Sequence, residues 1–119
     1  MQQRVLVCGG RNYSDKNTLY DVLDAAHMAN EIVLLIHGAA KGADELANQW
    51  ATERAIPIYY LRPDWDAHGK SAGPIRNRML LDYGKPDIVV AFPGGRGTAD
   101  MARQAKDRSV PVAYVTTTS

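Results

Sequence analysis

With 119 residues, 45% of them hydrophobic and 23% charged, the chain has the make-up of one ordinary globular domain, long enough for a single core and not for two. A net charge of +1 argues against a molecule whose main task is non-specific nucleic-acid binding, because no global field draws it to phosphate backbones. The lone cysteine, Cys8, has no intramolecular disulfide partner, which suits a reducing compartment.

The first element begins almost at the N-terminus. "RVLVC" (4–8) is a short apolar run typical of a buried strand, and "MQQRVLV" leaves no room for a signal peptide. No run reaches membrane-spanning length, so a cytoplasmic location without membrane partners is expected. A helical stripe of Leu19, Val22, Leu23 and Ala26 comes next, then a second strand, "IVLLIH" (32–37). Ala43, Leu46, Ala47, Trp50 and Ala51 form a second stripe, followed by "IPIYYL" (56–61) as a third strand. A third helix is expected from Pro74 to Tyr83, with proline in its first turn, and "DIVVAF" (87–92) reads as the fourth strand. A fourth helix is expected to follow Thr98 and to end near Ser109, with Ala102 and Ala105 inward. "PVAYVT" (111–116) completes five strands, and the closing "TTTS" reads as a frayed end. This β-α-β alternation, with strands apolar throughout, predicts an α/β domain over residues 1–119: an open five-stranded parallel sheet between two layers of helices.

In such a sheet a ligand lies beyond the carboxyl ends of the strands. The segments that follow the first four strands there are "GGRNYSD" (9–15), "GAAKGAD" (38–44), "RPDWDAHGKSAGP" (62–74) and "PGGRGT" (93–98). They hold nearly every glycine, while the connections at the other edge, "MANE", "TERA", "YGKP" and "DRSV", are plain. One glycine-rich turn is explained by tight chain reversal alone; four on one rim point to binding. Helix N-termini there suit phosphate or carboxylate, and Arg11, Arg76 and Arg96 can add planar donors. His37 either lines the crevice or is a satisfied histidine at a strand end, and Trp65 either stacks on a base or pins its own loop.

Several familiar motifs are absent. "HGKSAG" contains Gly-Lys-Ser, but the position five before its Gly-Lys pair is Asp64, where a phosphate-binding P-loop requires glycine. From Gly95, the dinucleotide pattern G-x-G-x-x-G fails at Asp100. His27, His37 and His68 have no metal-ligand spacing, and Ser14 and Ser71 have no recognisable base, so neither a metal, a cofactor nor a nucleophilic serine is expected.

"CGGRNYSD", "HGAAKGADELANQWA", "DWDAHGKSAGPIRNRML" and "KPDIVVAFPGGRGTADM" together resemble the SLOG superfamily, in particular its YspA-like, cpYpsA-related branch. That superfamily includes the Lonely Guy phosphoribohydrolases and DNA-processing protein A. The resemblance implies a Rossmann-like three-layer α/β/α fold that binds a phosphate-bearing, nucleotide-derived ligand at the strand ends, as a sensor or ligand-capturing module. On that reading Gly94, Gly95, Gly97 and Thr98 hold the phosphate, Arg11, Arg76 and Arg96 supply charge, Asp44 and Asn77 are offered to the sugar or base, and Gly9, Gly10, His37, Gly38, Trp65, Gly73 and Pro93 complete the expected ligand site. An N-glycosidic hydrolase acting on a nucleoside monophosphate or an ADP-ribose-like compound is the alternative, and a DNA-associated protein the third reading. A homodimer is also implied. The hydrolases' signature continues P-G-G-x-G-T-x-x-E; here Met101 holds the glutamate position and Asp100 stands beside it, one helical step of about 100° away. Asp44, Asp64 and Asp100 are the carboxylates and Arg76 the cation to which catalysis would fall, although Asn77 stands where those enzymes follow their arginine with lysine.

Overall fold

The computed structural model describes residues 1–116; residues 117–119, which form most of the expected frayed end, lie outside the described residues. Five strands, β1 (Gln2–Cys8), β2 (Glu31–His37), β3 (Ile58–Tyr60), β4 (Ile88–Ala91) and β5 (Val112–Tyr114), pair in parallel in the order β3-β2-β1-β4-β5. The helices are α1 (Lys16–Ala29), α2 (Ala43–Glu53), the single turn α3 (Trp65–His68), α4 (Ala72–Gly84) and α5 (Arg96–Asp107), with a 3-10 turn at Gly69–Ser71 between α3 and α4. The expected α/β architecture is therefore present. No described helix is long and apolar enough to cross a membrane.

Strand alternation explains the layering. In β1, Val5 and Val7 face one side and join Leu19 and Leu23 of α1 and Ala47, Trp50 and Ala51 of α2 in one core. Leu6 and Cys8 face the other side and pack with Leu80 and Leu81 of α4 and Met101 and Ala105 of α5. Central strands with two covered faces must be apolar at every position, which is why these runs do not alternate in sequence.

Two boundaries differ from expectation. The α4 helix starts at Ala72, so Pro74 is its third residue, still within the turn where a missing N–H costs nothing. The α5 helix starts at Arg96, which brings Arg96, Gly97 and Thr98 into its first turn. The α3 turn was not expected at all. Asp64 caps it, accepting from Ala67 N at 3.0 Å.

After β1 the chain moves outward through β2 to β3, then returns to lay β4 against the other side of β1. The β1/β4 junction is thus the point where winding reverses and the flanking loops diverge, opening a crevice beyond the strand ends.

Candidate functional site

At that junction the backbones interlock. Gly10 N donates to Pro93 O at 2.8 Å, and Gly10 O accepts from Tyr13 N and Ala43 N, each at 3.2 Å. Gly42 turns into α2 with φ of +80°, where a side chain would also collide with the Gly10 carbonyl. A Cβ on Gly94 would strike Thr98 Oγ1 and lie 2.6 Å from Gly10 N. Gly95 and Gly97 are different: a Cβ at either would meet nothing within 4 Å. The glycines of "PGGRGT" therefore divide into one that lets two loops pack and two that leave the start of α5 uncovered.

Beside them lies a cleft of about 560 Å³. Its floor is apolar, formed by Leu6, Cys8, Leu80 and Met101, and its walls carry Arg11, Arg62, Arg76 and Arg96 against a single carboxylate, Asp44. None of these four arginines forms an ion pair among the described residues; the pairs present use Arg54, Arg103 and Arg108. The first intrahelical bond of α5 is Ala99 N to Gly95 O at 3.0 Å, and no side chain caps the helix. The N–H groups of Arg96, Gly97 and Thr98 have no protein acceptor among the described residues, so the positive end of the helix dipole opens on the cleft. Free N–H groups, open glycines and cationic walls are the donor set that an anion requires.

The opposite wall is the Gly38–Ala40 turn. Asp44 Oδ2 accepts from Gly38 N at 2.9 Å and Ala40 N at 3.3 Å. His37 Nδ1 accepts from Ala39 N at 2.9 Å, while His37 Nε2 lies 2.8 Å from Asn48 Oδ1 and its ring stacks on Tyr60. Arg76 donates through one terminal nitrogen to Gly38 O. These contacts hold Ala39 at φ of +59°, a left-handed conformation costing roughly 1–2 kcal/mol for a residue with a side chain. Burial pushes the Asp44 carboxyl up from its usual value, against the Ala40 and Gly38 amides and the nearby His37 and Arg76. Burial pulls Arg76 down, with Asp44 and Asp100 restoring part; a guanidinium keeps its charge regardless. The Cys8 thiol is pushed up to about 12, by burial first and then by Asp44, so it stays neutral and contributes surface rather than a nucleophile.

Asn77 and Asp100 form the frame behind this wall. Asn77 Oδ1 accepts from Arg76 Nε at 2.9 Å, and its Nδ2 donates to Asp100 Oδ2 at 3.0 Å and Gly97 O at 3.4 Å. Asp100 also accepts from Gln104 Nε2 at 2.8 Å and from Arg103. Burial pushes the Asp100 carboxyl up, but the bonds from Asn77, Gln104 and Arg103 outweigh it and hold it below its usual value.

Of the residues expected at the site, the cleft brings together Gly9, Gly10, Arg11, Gly38, Asp44, Trp65, Gly73, Arg76, Asn77, Arg96 and Thr98 with the open pair Gly95 and Gly97. It does not bring in His37, which shapes the Gly38–Ala40 turn from behind, or Asp64, which caps α3. Pro93 and Gly94 border a more open depression of about 720 Å³ on the other side of their loop, where no unpaired arginines converge. Asp100 is outside the lining and Met101, only 2% exposed, is within it. Arg62 and Pro63 were missed by sequence reasoning; Arg62's position, just past β3 on the glycine-rich rim, was the available signal. No three His, Cys, Asp or Glu side chains gather into a metal-ligating group among the described residues.

A family model described as the YspA, cpYpsA-related SLOG family matches residues 3–68, from β1 through α3. The "Gene 61 protein" of Mycobacterium phage D29 is 36% identical over 118 residues, covering 92% of this chain and 94% of that protein. Among solved structures, the X-ray structure of DNA processing protein A (DprA) from Streptococcus pneumoniae superposes with a TM-score of 0.78 at 19% identity. That match covers 98% of this chain and 51% of the DprA chain, so this chain spans about half the length of that protein, and the likeness is one of fold.

Proposed function

This chain belongs to the YspA, cpYpsA-related SLOG family, and on that premise we propose that its cleft binds a phosphate-bearing, nucleotide-derived ligand, as a sensor or capturing module. The observation that carries the reading is the uncapped start of α5, where three free N–H groups meet the open positions Gly95 and Gly97. A phosphate seated there would accept from that turn and from the Thr98 hydroxyl, with Arg96 and Arg11 on either side. The apolar floor suits the uncharged body of a nucleotide, and Trp65, 56% exposed above Gly73, offers a stacking face for a base.

Hydrolysis of an N-glycosidic bond is the second reading, and Asp44 is what favours it, as the one carboxylate lining the cleft. Against it stands Met101, an apolar side chain at the position where the phosphoribohydrolase signature carries glutamate. Native mass spectrometry of the purified protein, followed by incubation with nucleoside 5'-monophosphates, separates the two. The capturing reading expects a bound nucleotide-sized mass and no free base; stoichiometric release of base would replace it with the hydrolase.

A further inference from the structure

Within the cleft one polar atom has no assigned work. Asp44 is only 5% exposed, and both of its hydrogen bonds fall on Oδ2. Its Oδ1 has no partner among the described residues, yet the one buried side-chain polar atom that lacks both a partner and solvent is the Tyr20 hydroxyl. Asp44 Oδ1 therefore keeps an open face, and the cleft is the space that Asp44 lines. A ligand that fills the cleft displaces the water from this oxygen, and binding is costly unless the ligand supplies a donor in its place.

We infer that Asp44 Oδ1 accepts from a sugar hydroxyl, 2' or 3', and makes the cleft select an intact ribose over a sugar that lacks that hydroxyl. The inference rests on the nucleotide reading above and assigns a specificity role within it. A carboxylate only accepts, so the ligand group beside it must donate. Four arginines around the same space disfavour a cationic donor, and Asp44 itself repels phosphate, which leaves a neutral donor, a sugar hydroxyl or a base N–H, and the strand order favours the hydroxyl.

The strand order places that hydroxyl. The phosphate turn of α5 follows β4, Asp44 begins the helix after β2, and Arg62 and Trp65 follow β3. Along the order β3-β2-β1-β4, Asp44 lies between the phosphate seat and Trp65, about two strand spacings or ~10 Å from β4 at the level of the sheet. Phosphate, sugar and base follow the same sequence along a 5'-nucleotide. Asn77 is less suited to this role, since both N–H donors of its amide are engaged by Gly97 and Asp100 and its oxygen already accepts from Arg76.

The test is calorimetric titration of the wild-type chain with AMP, GMP, CMP and UMP and with their 2'-deoxy and 3'-deoxy counterparts, repeated on Asp44→Asn with its melting midpoint recorded. Losing a hydrogen bond to a charged group predicts that at least one deoxy series binds the wild type roughly ten- to a hundredfold more weakly. In Asp44→Asn that preference should shrink to within about threefold. A purely structural role for Asp44 would weaken ribo and deoxy ligands alike and preserve the preference, which overturns the inference. Equal binding of ribo and deoxy forms by the wild type overturns it too, whether or not the variant folds, and leaves the phosphate reading standing. Binding of no nucleotide in either series overturns both.

Discussion

Gly94 and Gly97 are three residues apart, and sequence alone treats them alike. A Cβ at Gly94 collides with Thr98 and the Gly10 backbone, so Gly94→Ala should destabilise the fold by about 1–3 kcal/mol in chemical denaturation. At Gly97 the same change meets nothing and adds helix propensity, so the fold should hold within ~1 kcal/mol of wild type while phosphate-ligand affinity falls. The glycine-rich loop was legible in the sequence; which glycine packs and which stays open depends on the β1 loop, a partner distant in the chain. Met101 and Asp100 were more legible, because one helical step was enough to place one inward and the other elsewhere. Asp100 is held by three donors below its ordinary value of 3.8, and a depressed carboxyl stabilises the fold above its unfolded pKa and loses that contribution as pH falls through its folded one. Asp100→Asn should therefore cost about 1 kcal/mol near neutral pH, with the gap to wild type closing as the pH is lowered through that folded value below 3.8.

The helices and strands of the sheet were readable because each carries several residues of one periodicity, whereas α3 has four residues and offers no period to detect. Its only sequence signal was Asp64 as a cap, a residue considered instead for acid–base work. The early start of α5 was hidden for a related reason, since Gly97 lowers helix propensity in the first turn and no side chain caps the helix to mark its beginning. At this scale Asn77 and Gln104 couple two helices: Asn77 joins Arg76 on α4 to Gly97 and Asp100 on α5, and Gln104 reaches back to Pro74 O at 3.0 Å. Asn77→Ala leaves the half-buried Asp100 carboxylate short of one donor and frees Arg76, so unfolding free energy should drop by about 1–3 kcal/mol, with phosphate affinity dropping as well. Gln104→Ala, farther from the cleft, should cost stability with a smaller effect on binding. Denaturation and titration of both variants in parallel check the distinction.

Over the whole molecule, β-α alternation predicts a parallel sheet but not the order of its strands, because several windings share the same pattern. The order β3-β2-β1-β4-β5 puts the reversal between β1 and β4 and so draws four loops, spread from residue 9 to residue 98, to one rim. Net charge conceals the result: a near-neutral chain turns four arginines and one aspartate into a single cleft. Ligand affinity should accordingly weaken as ionic strength rises, although less steeply than for a fully exposed patch, since Arg76 is partly buried. The central claim is that the start of α5 grips phosphate, and calorimetric titration of the wild type and Gly97→Val with 5'-nucleotides and their unphosphorylated nucleosides tests it most directly. The account predicts that nucleotides bind the wild type at least about tenfold more tightly than nucleosides, as charge-assisted contacts require, and that folded Gly97→Val loses this advantage. Nucleosides binding as tightly as nucleotides, or full nucleotide affinity in the folded variant, would contradict it.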